Sequence, residues 1–198
     1  MTTQTRTSEL EAVNTILSTI GESPWNTLSG SLPVDGTIAK NVLSEVSREV
    51  QSQGWHFNTH YKVSLSRDTD NKIPLATNIV RVEIDPRQYS KVSYDIVQRN
   101  NFLYNLAKNE DTFDTNFKDA TAVYLLPFDE IPEQAKRYIT IRSARIFHDR
   151  TLGANTIHKF SQEDEAKSLS ILKQAESHTG DYSIFDTPEQ AYTIIRGN

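Results

Sequence analysis

Cysteine is absent from the 198 residues. That excludes a disulfide framework, a thiolate metal site and a cysteine nucleophile together. Glycine is scarce, with seven residues, about half the usual share of ~7%. The shortage argues against glycine-rich phosphate loops and repeat arrays. No excess of positive charge is present: 21 Lys and Arg face 26 Asp and Glu, a formal net charge of −5. A general nucleic-acid binder needs a basic face to release counterions, so that class is disfavoured. Long apolar runs are missing too, and the first eight residues are polar apart from Met1. Neither a membrane span nor the apolar core of a signal peptide is expected. What is there, 36% hydrophobic and 24% charged residues, is the composition of a folded chain.

Helical signals occupy the two ends of the sequence. Ser8 followed by Glu11 spells a capping box, and Leu10, Val13, Leu17 and Ile20 form one stripe, with Gly21 placed for a left-handed cap. The spacing predicts a helix over 9–20. A loop rich in Ser, Pro and Gly follows over 22–36, containing Trp25. Asp35 then precedes a second helix with Ile38, Val42, Val46 and Val50 on one face and Gly54 closing it. Its valines lower helix propensity, so burial has to hold it. A third helix begins at Pro132 and Glu133 and runs to about Arg150. Its apolar residues cover two faces, which predicts a central position. Ser161 with Asp164 opens a fourth helix that ends near Gly180.

Between the second and third helices the period changes to two. Alternation at Tyr61, Val63 and Leu65, at Val80, Val82 and Ile84, and at Val92, Tyr94 and Ile96 predicts strands, with further strands over 102–106 and 123–126. The connections are too short for helical crossovers, so the pairing is expected to be mostly antiparallel. The fold class expected is α+β: a four-helix bundle (1–55 and 128–180) with a small, mostly antiparallel β domain (56–127) inserted between helices two and three. An extended C-terminal tail (181–198) follows. Burying four amphipathic stripes against one another makes this arrangement economical.

Motifs that carry chemistry are sparse. There is no Gly-x-Ser-x-Gly elbow, Walker loop or dinucleotide fingerprint. His56 and His60 are four apart, but in an extended segment they would lie ~13 Å from one another. The acids Glu163, Asp164 and Glu165, like Asp129, Glu130 and Glu133, suit the positive end of a helix dipole. No catalytic group, metal or cofactor is expected. A hydrolase of surface polysaccharide or peptidoglycan is the alternative, because paired carboxylates need geometry and no motif.

Candidate contact residues are easier to name. The third helix carries Lys136, Arg137, Arg142, Arg145 and Arg150 against few local acids. This is either a solvated face with an Arg145–Asp149 pair or a contact with acidic groups of a neighbouring subunit. Arg137, Arg142 and Arg145 are taken as interface candidates. Trp25 is either a lid over the bundle end or a partner contact. Trp55 and Phe57 are expected to anchor the junction of bundle and β domain. Tyr182, Phe185 and Tyr192 punctuate a polar tail that suits ordering on a partner.

Several segments together resemble one family. They are Glu11-Ala12-Val13-Asn14-Thr15-Ile16-Leu17-Ser18-Thr19-Ile20-Gly21-Glu22-Ser23-Pro24 and Val50-Gln51-Ser52-Gln53-Gly54-Trp55-His56-Phe57-Asn58. Asp129-Glu130-Ile131-Pro132-Glu133 follows, with Tyr138-Ile139, Ala144-Arg145, Gly153-Ala154 and Glu163-Asp164-Glu165-Ala166. In order and spacing they are similar to tail tubular protein A, the adaptor or gatekeeper of short-tailed bacteriophages. No shared motif covers 59–126. The resemblance implies a head-to-tail connector in the virion tail: a twelve-subunit homo-oligomeric ring between portal protein and tail nozzle protein (tail tubular protein B). Tail fibres would attach nearby, and DNA would pass through the channel without sequence-specific binding. A cysteine-free acidic chain fits assembly in a host cytoplasm, and negative charge fits a conduit that must not retain phosphate.

Overall fold

The computed structural model describes residues 5–30, 33–153, 160 and 162–179. The expected tail at 181–198, with Tyr182, Phe185 and Tyr192, and the expected cap Ser161 lie outside the described residues. Among the described residues are four α-helices: α1 (Glu9–Leu17), α2 (Val34–Gln51), α3 (Glu133–Leu152) and α4 (Gln162–Thr179). Five strands lie between α2 and α3: β1 (Thr59–Leu65), β2 (Ile79–Glu83), β3 (Ile96–Arg99), β4 (Phe102–Asn105) and β5 (Phe117–Tyr124). The α+β arrangement with an inserted antiparallel β part is therefore what the chain adopts.

The capping box forms as spelled. Glu11 N–H donates to Ser8 Oγ at 3.2 Å, and Ser8 N–H donates to Glu11 Oε2 at 2.7 Å. The α-helical part of α1 stops at Leu17, and a 3₁₀ turn over Ser18–Ile20 completes the span to Gly21, whose φ of 82° supplies the left-handed cap. α3 is central: Ala135, Tyr138, Ile139, Ile141, Ala144 and Phe147 are buried on several faces, and α1, α2 and α4 all pack on it. With Val13, Ile16, Leu17, Leu43, Val46 and Leu172, all of these except Ile141 form one helical core. Each such large side chain contributes about 1.5–3 kcal/mol by leaving water.

A second core lies in the β part, around Leu65, Ile73, Leu75, Leu103, Phe113 and Phe117. Its three-stranded sheet has the order β1-β5-β2, and β3 and β4 form a separate hairpin. All pairs are antiparallel.

Three expectations are corrected. The segment 92–95 is a turn and not a strand: Val92 is 89% exposed, and β3 starts at Ile96. Alternation alone misled there because Ser90 turns the chain, its carbonyl accepting from both Ser93 N–H and Tyr94 N–H. The last strand begins at Phe117, six residues before the apolar run that suggested it; Lys118 and Asp119 are both exposed at an irregularity where Asp119 has φ of 55°, which breaks the alternation. His56 is not extended. It opens a 3₁₀ turn, His56–Asn58, between α2 and β1.

Candidate assembly interface

The chain crosses between its helical and β parts twice, and two amides tie the crossings together. Gln51, the last residue of α2, is 2% exposed. Its Nε2 donates to Leu126 O at 3.1 Å and to Ser47 Oγ at 3.0 Å, and Leu126 N–H donates to Gln51 Oε1 at 2.8 Å. Asn58 is fully buried. Its Nδ2 donates to Gln51 O at 2.8 Å and Tyr124 O at 2.7 Å, while its Oδ1 accepts from Trp55 N–H at 2.9 Å. Leaving such buried groups unpaired costs about 1–3 kcal/mol each, so satisfying them fixes one geometry.

Trp55 and Phe57 flank this junction. Both pack on the helical core, and Trp55 Nε1 donates to Val50 O at 2.7 Å. Gly54 precedes them with φ of 77°, a left-handed conformation that L side chains rarely adopt, so the turn favours glycine. The family resemblance spans Gln51 and Asn58 without giving either residue a role. Their signal was an amide at a helix end and another four residues past a Gly cap, which only the returning strand makes meaningful.

The basic residues of α3 meet acids of the same chain. Arg142 bridges two helices: Nη2 reaches Glu49 Oε1 on α2 at 2.6 Å, and Nη1 reaches Glu165 Oε1 on α4 at 2.9 Å. Arg145 Nε meets Glu165 Oε2 at 2.6 Å, and its Nη1 meets Asp149 Oδ2 at 3.3 Å. Arg150 pairs with Glu45 through both terminal nitrogens, at 2.8 and 2.9 Å. That pairing lowers the Glu45 pKa below the usual carboxylate range. Lys136 is buried, its Nζ donating to Thr7 O at 2.8 Å and Asp129 O at 3.1 Å. Of the three interface candidates on α3, Arg137 alone is exposed; its guanidinium stands 5.8 Å from the Phe160 ring centre. Glu165, read from sequence as a dipole partner, instead holds two arginines.

The acids at the start of α3 also act at a distance. Glu133 accepts from Thr7 N–H at 2.9 Å, and Asp129 Oδ1 accepts from Glu9 N–H at 3.2 Å. Both serve donors at the entry to α1, where a helix leaves its first N–H groups unsatisfied.

Trp25 lies at the other end of α2 from the junction, ~22 Å along the helix. Its ring rests on Gly36, where an added Cβ would fall 1.3 Å from Trp25 Cη2. Asn14 holds its backbone: Trp25 N–H donates to Asn14 Oδ1 at 2.8 Å, and Asn14 Nδ2 donates to Trp25 O at 2.9 Å. The ring stays half-buried there, one side on α2.

Carboxylates with clear pKa shifts all move down, through hydrogen bonds to the charged form. Glu11 is lowered by Ser8, Asp85 by Arg87, Asp111 by Lys72 and Asp114 by Tyr94. A general acid requires the opposite shift, so these groups give the hydrolase alternative no support. The His60 and Tyr124 rings lie 4.5 Å apart, tilted by 42°, and His56 N–H donates to Glu176. Among the described residues no group of His, Asp and Glu is arranged to hold a metal ion, and no helix is long and apolar enough to cross a membrane.

A family model described as Tail tubular protein matches residues 10–182. Comparison with curated proteins returns no match.

Proposed function

The chain belongs to the tail tubular protein family, a structural component of the phage virion tail, and from that premise we propose that it is the adaptor subunit between portal and nozzle. In this reading copies of the chain stand side by side as a ring, twelve by the family resemblance. DNA leaves the capsid through the ring, and tail fibres attach at the same level. Residues 1–55 and 128–180 act as one helical domain and 56–127 as the inserted β domain.

The stitched junction carries this reading. A subunit clamped between two other rings transmits load between its parts, and it needs a fixed angle between them. Gln51 and Asn58 bond across both chain crossings, inside a protein-lined junction where such bonds are strongest. The net charge of −5 supports a conduit, since fewer phosphate contacts mean less retention of passing DNA. Among the described residues exposed Arg137 meets no acid and is offered to a neighbour, and the aromatics Tyr182, Phe185 and Tyr192 anchor the C-terminal segment on a partner surface. No catalytic step belongs to this function.

Antibody labelling of purified virions tests the placement. Label at the level between capsid vertex and nozzle is expected. Label confined to fibre tips, or capsid shells that assemble full tails without the chain, would overturn it.

A further inference from the structure

β2 and β3 follow one another in sequence and run close only at one end, where Gln98 Nε2 donates to Ile79 O at 3.0 Å. Towards the other end they splay around the turn 85–95. A cleft of about 290 Å³ opens there, lined by Val82, Ile84, Tyr89, Tyr94 and Ile96 together with the charged Glu83, Lys91 and Asp95. All five apolar or aromatic residues pack on the β core yet stay only half covered. Tyr94 and Tyr89 set their rings edge-on to Phe117, at 5.4 and 4.9 Å between centres. Their hydroxyls are engaged elsewhere, Tyr94 donating to Asp114 at 2.6 Å and Tyr89 accepting from Lys118 N–H at 3.0 Å. What they offer the cleft is ring carbon.

The volume sits at the lower edge of the ~300–1,000 Å³ of small-molecule pockets, room for one or two large side chains. β2 also forms an outer edge of its sheet. The opposite edge, β1, is bulged at Lys62, whose φ is 58°, a device that blunts an edge.

We propose that the C-terminal segment, residues 181–198, fills this cleft with its run at 192–195. The proposal deepens the preceding reading, in which that segment's aromatics anchor a contact, and it rests on it. The segment holds Tyr182, Ile184, Phe185, Tyr192, Ile194 and Ile195 within polar surroundings, the composition of a strand added to an edge with alternate side chains in pockets. It departs from the correct place. Glu176, three residues before the end of α4, accepts from His56 N–H at 2.6 Å beside the start of β1. The run 192–195 lies 13–16 residues past Thr179 and can reach ~45 Å, whereas 182–185 reaches no more than ~20 Å. The cleft lies about five residues along a strand and two strands across, roughly 25 Å away. Fresh aromatic surface against Tyr89 and Tyr94 extends the edge-on ring packing already present.

The test places photo-reactive benzoylphenylalanine at position 192 of the full chain. It is irradiated as purified protein and in virions, and the cross-linked peptides are identified. Cross-links to the 82–96 stretch are expected, falling about tenfold or more when Ile84→Arg or Val82→Arg fills the cleft. The band, one chain or two, then tells which copy supplies the segment. Cross-links to another element or another virion protein would overturn the cleft while leaving the anchor reading intact. No cross-link in either preparation would overturn both.

Discussion

Gln51 and Leu126 bond to each other in both directions, side-chain amide to main chain, across 75 residues of sequence. This pairing imitates one rung of a sheet ladder at the end of a helix. It holds the exit of β5 against the last turn of α2.

Replacing Gln51 with Leu keeps the bulk and removes both bonds, leaving Leu126 N–H and C=O unpaired in a part-buried site. A loss of roughly 2–4 kcal/mol is expected, read by urea unfolding. Faster amide exchange at Leu126 is expected in the folded protein. If Gln51→Leu unfolds at the wild-type midpoint, the junction is not the clamp described.

Gly36→Ala asks whether Trp25 is a seated lid. In an ordinary helix that change stabilises by about 0.5–1 kcal/mol. Here the methyl would occupy the space of the Trp25 ring, so the ring must leave or α2 must shift. Destabilisation of about 1–3 kcal/mol with increased quenching of tryptophan fluorescence is expected. A stabilised variant would place Trp25 elsewhere.

Glu165 and Glu45 make ion pairs of unequal worth. Glu165 is 13% exposed in its side chain and joins Arg142 and Arg145, whereas Glu45 is 53% exposed and meets Arg150 alone. Glu165→Gln should cost about 1–3 kcal/mol because it strands part-buried guanidinium groups. Glu45→Gln should cost no more than about 1 kcal/mol and less in salt. Chemical unfolding at low and high salt measures both. Equal costs would mean that α4 is not held by its Glu165 contacts.

Acid should weaken the β part through Asp111. Its pKa is lowered by the hydrogen bond and charge of Lys72, whose own pKa is raised by the same partner. A depressed carboxylate stabilises fully above its unfolded value, near ~3.9, and that stabilisation is lost as pH falls through the folded value. The raised lysine stabilises below its unfolded value, ~10.4, and its share is lost as pH rises through the folded one. Asp111→Asn should therefore narrow the gap between stability at neutral pH and at pH 3, measured by urea midpoints. An unchanged gap would remove this pair from the acid response.

Elements whose signal is local were legible in the sequence. Ser8 and Glu11 lie one turn apart, and four apolar stripes with Gly and Pro punctuation mark four helices. The β segment was visible as a class, but its registers were not. Val92 alternates correctly and still points into water, because alternation cannot distinguish a strand from an exposed turn. The site depended on meetings across long separations. Arg142 joins Glu49 and Glu165, 93 and 23 residues away, and Gln51 joins Leu126. Residue type announces the capacity for such pairs, and the fold decides the partner.

Electron microscopy of negatively stained mixtures of the purified chain and its portal tests the adaptor reading most directly. A closed ring of this chain seated on the portal, with single chains when the portal is omitted, is the predicted result. Single chains in both samples would contradict it.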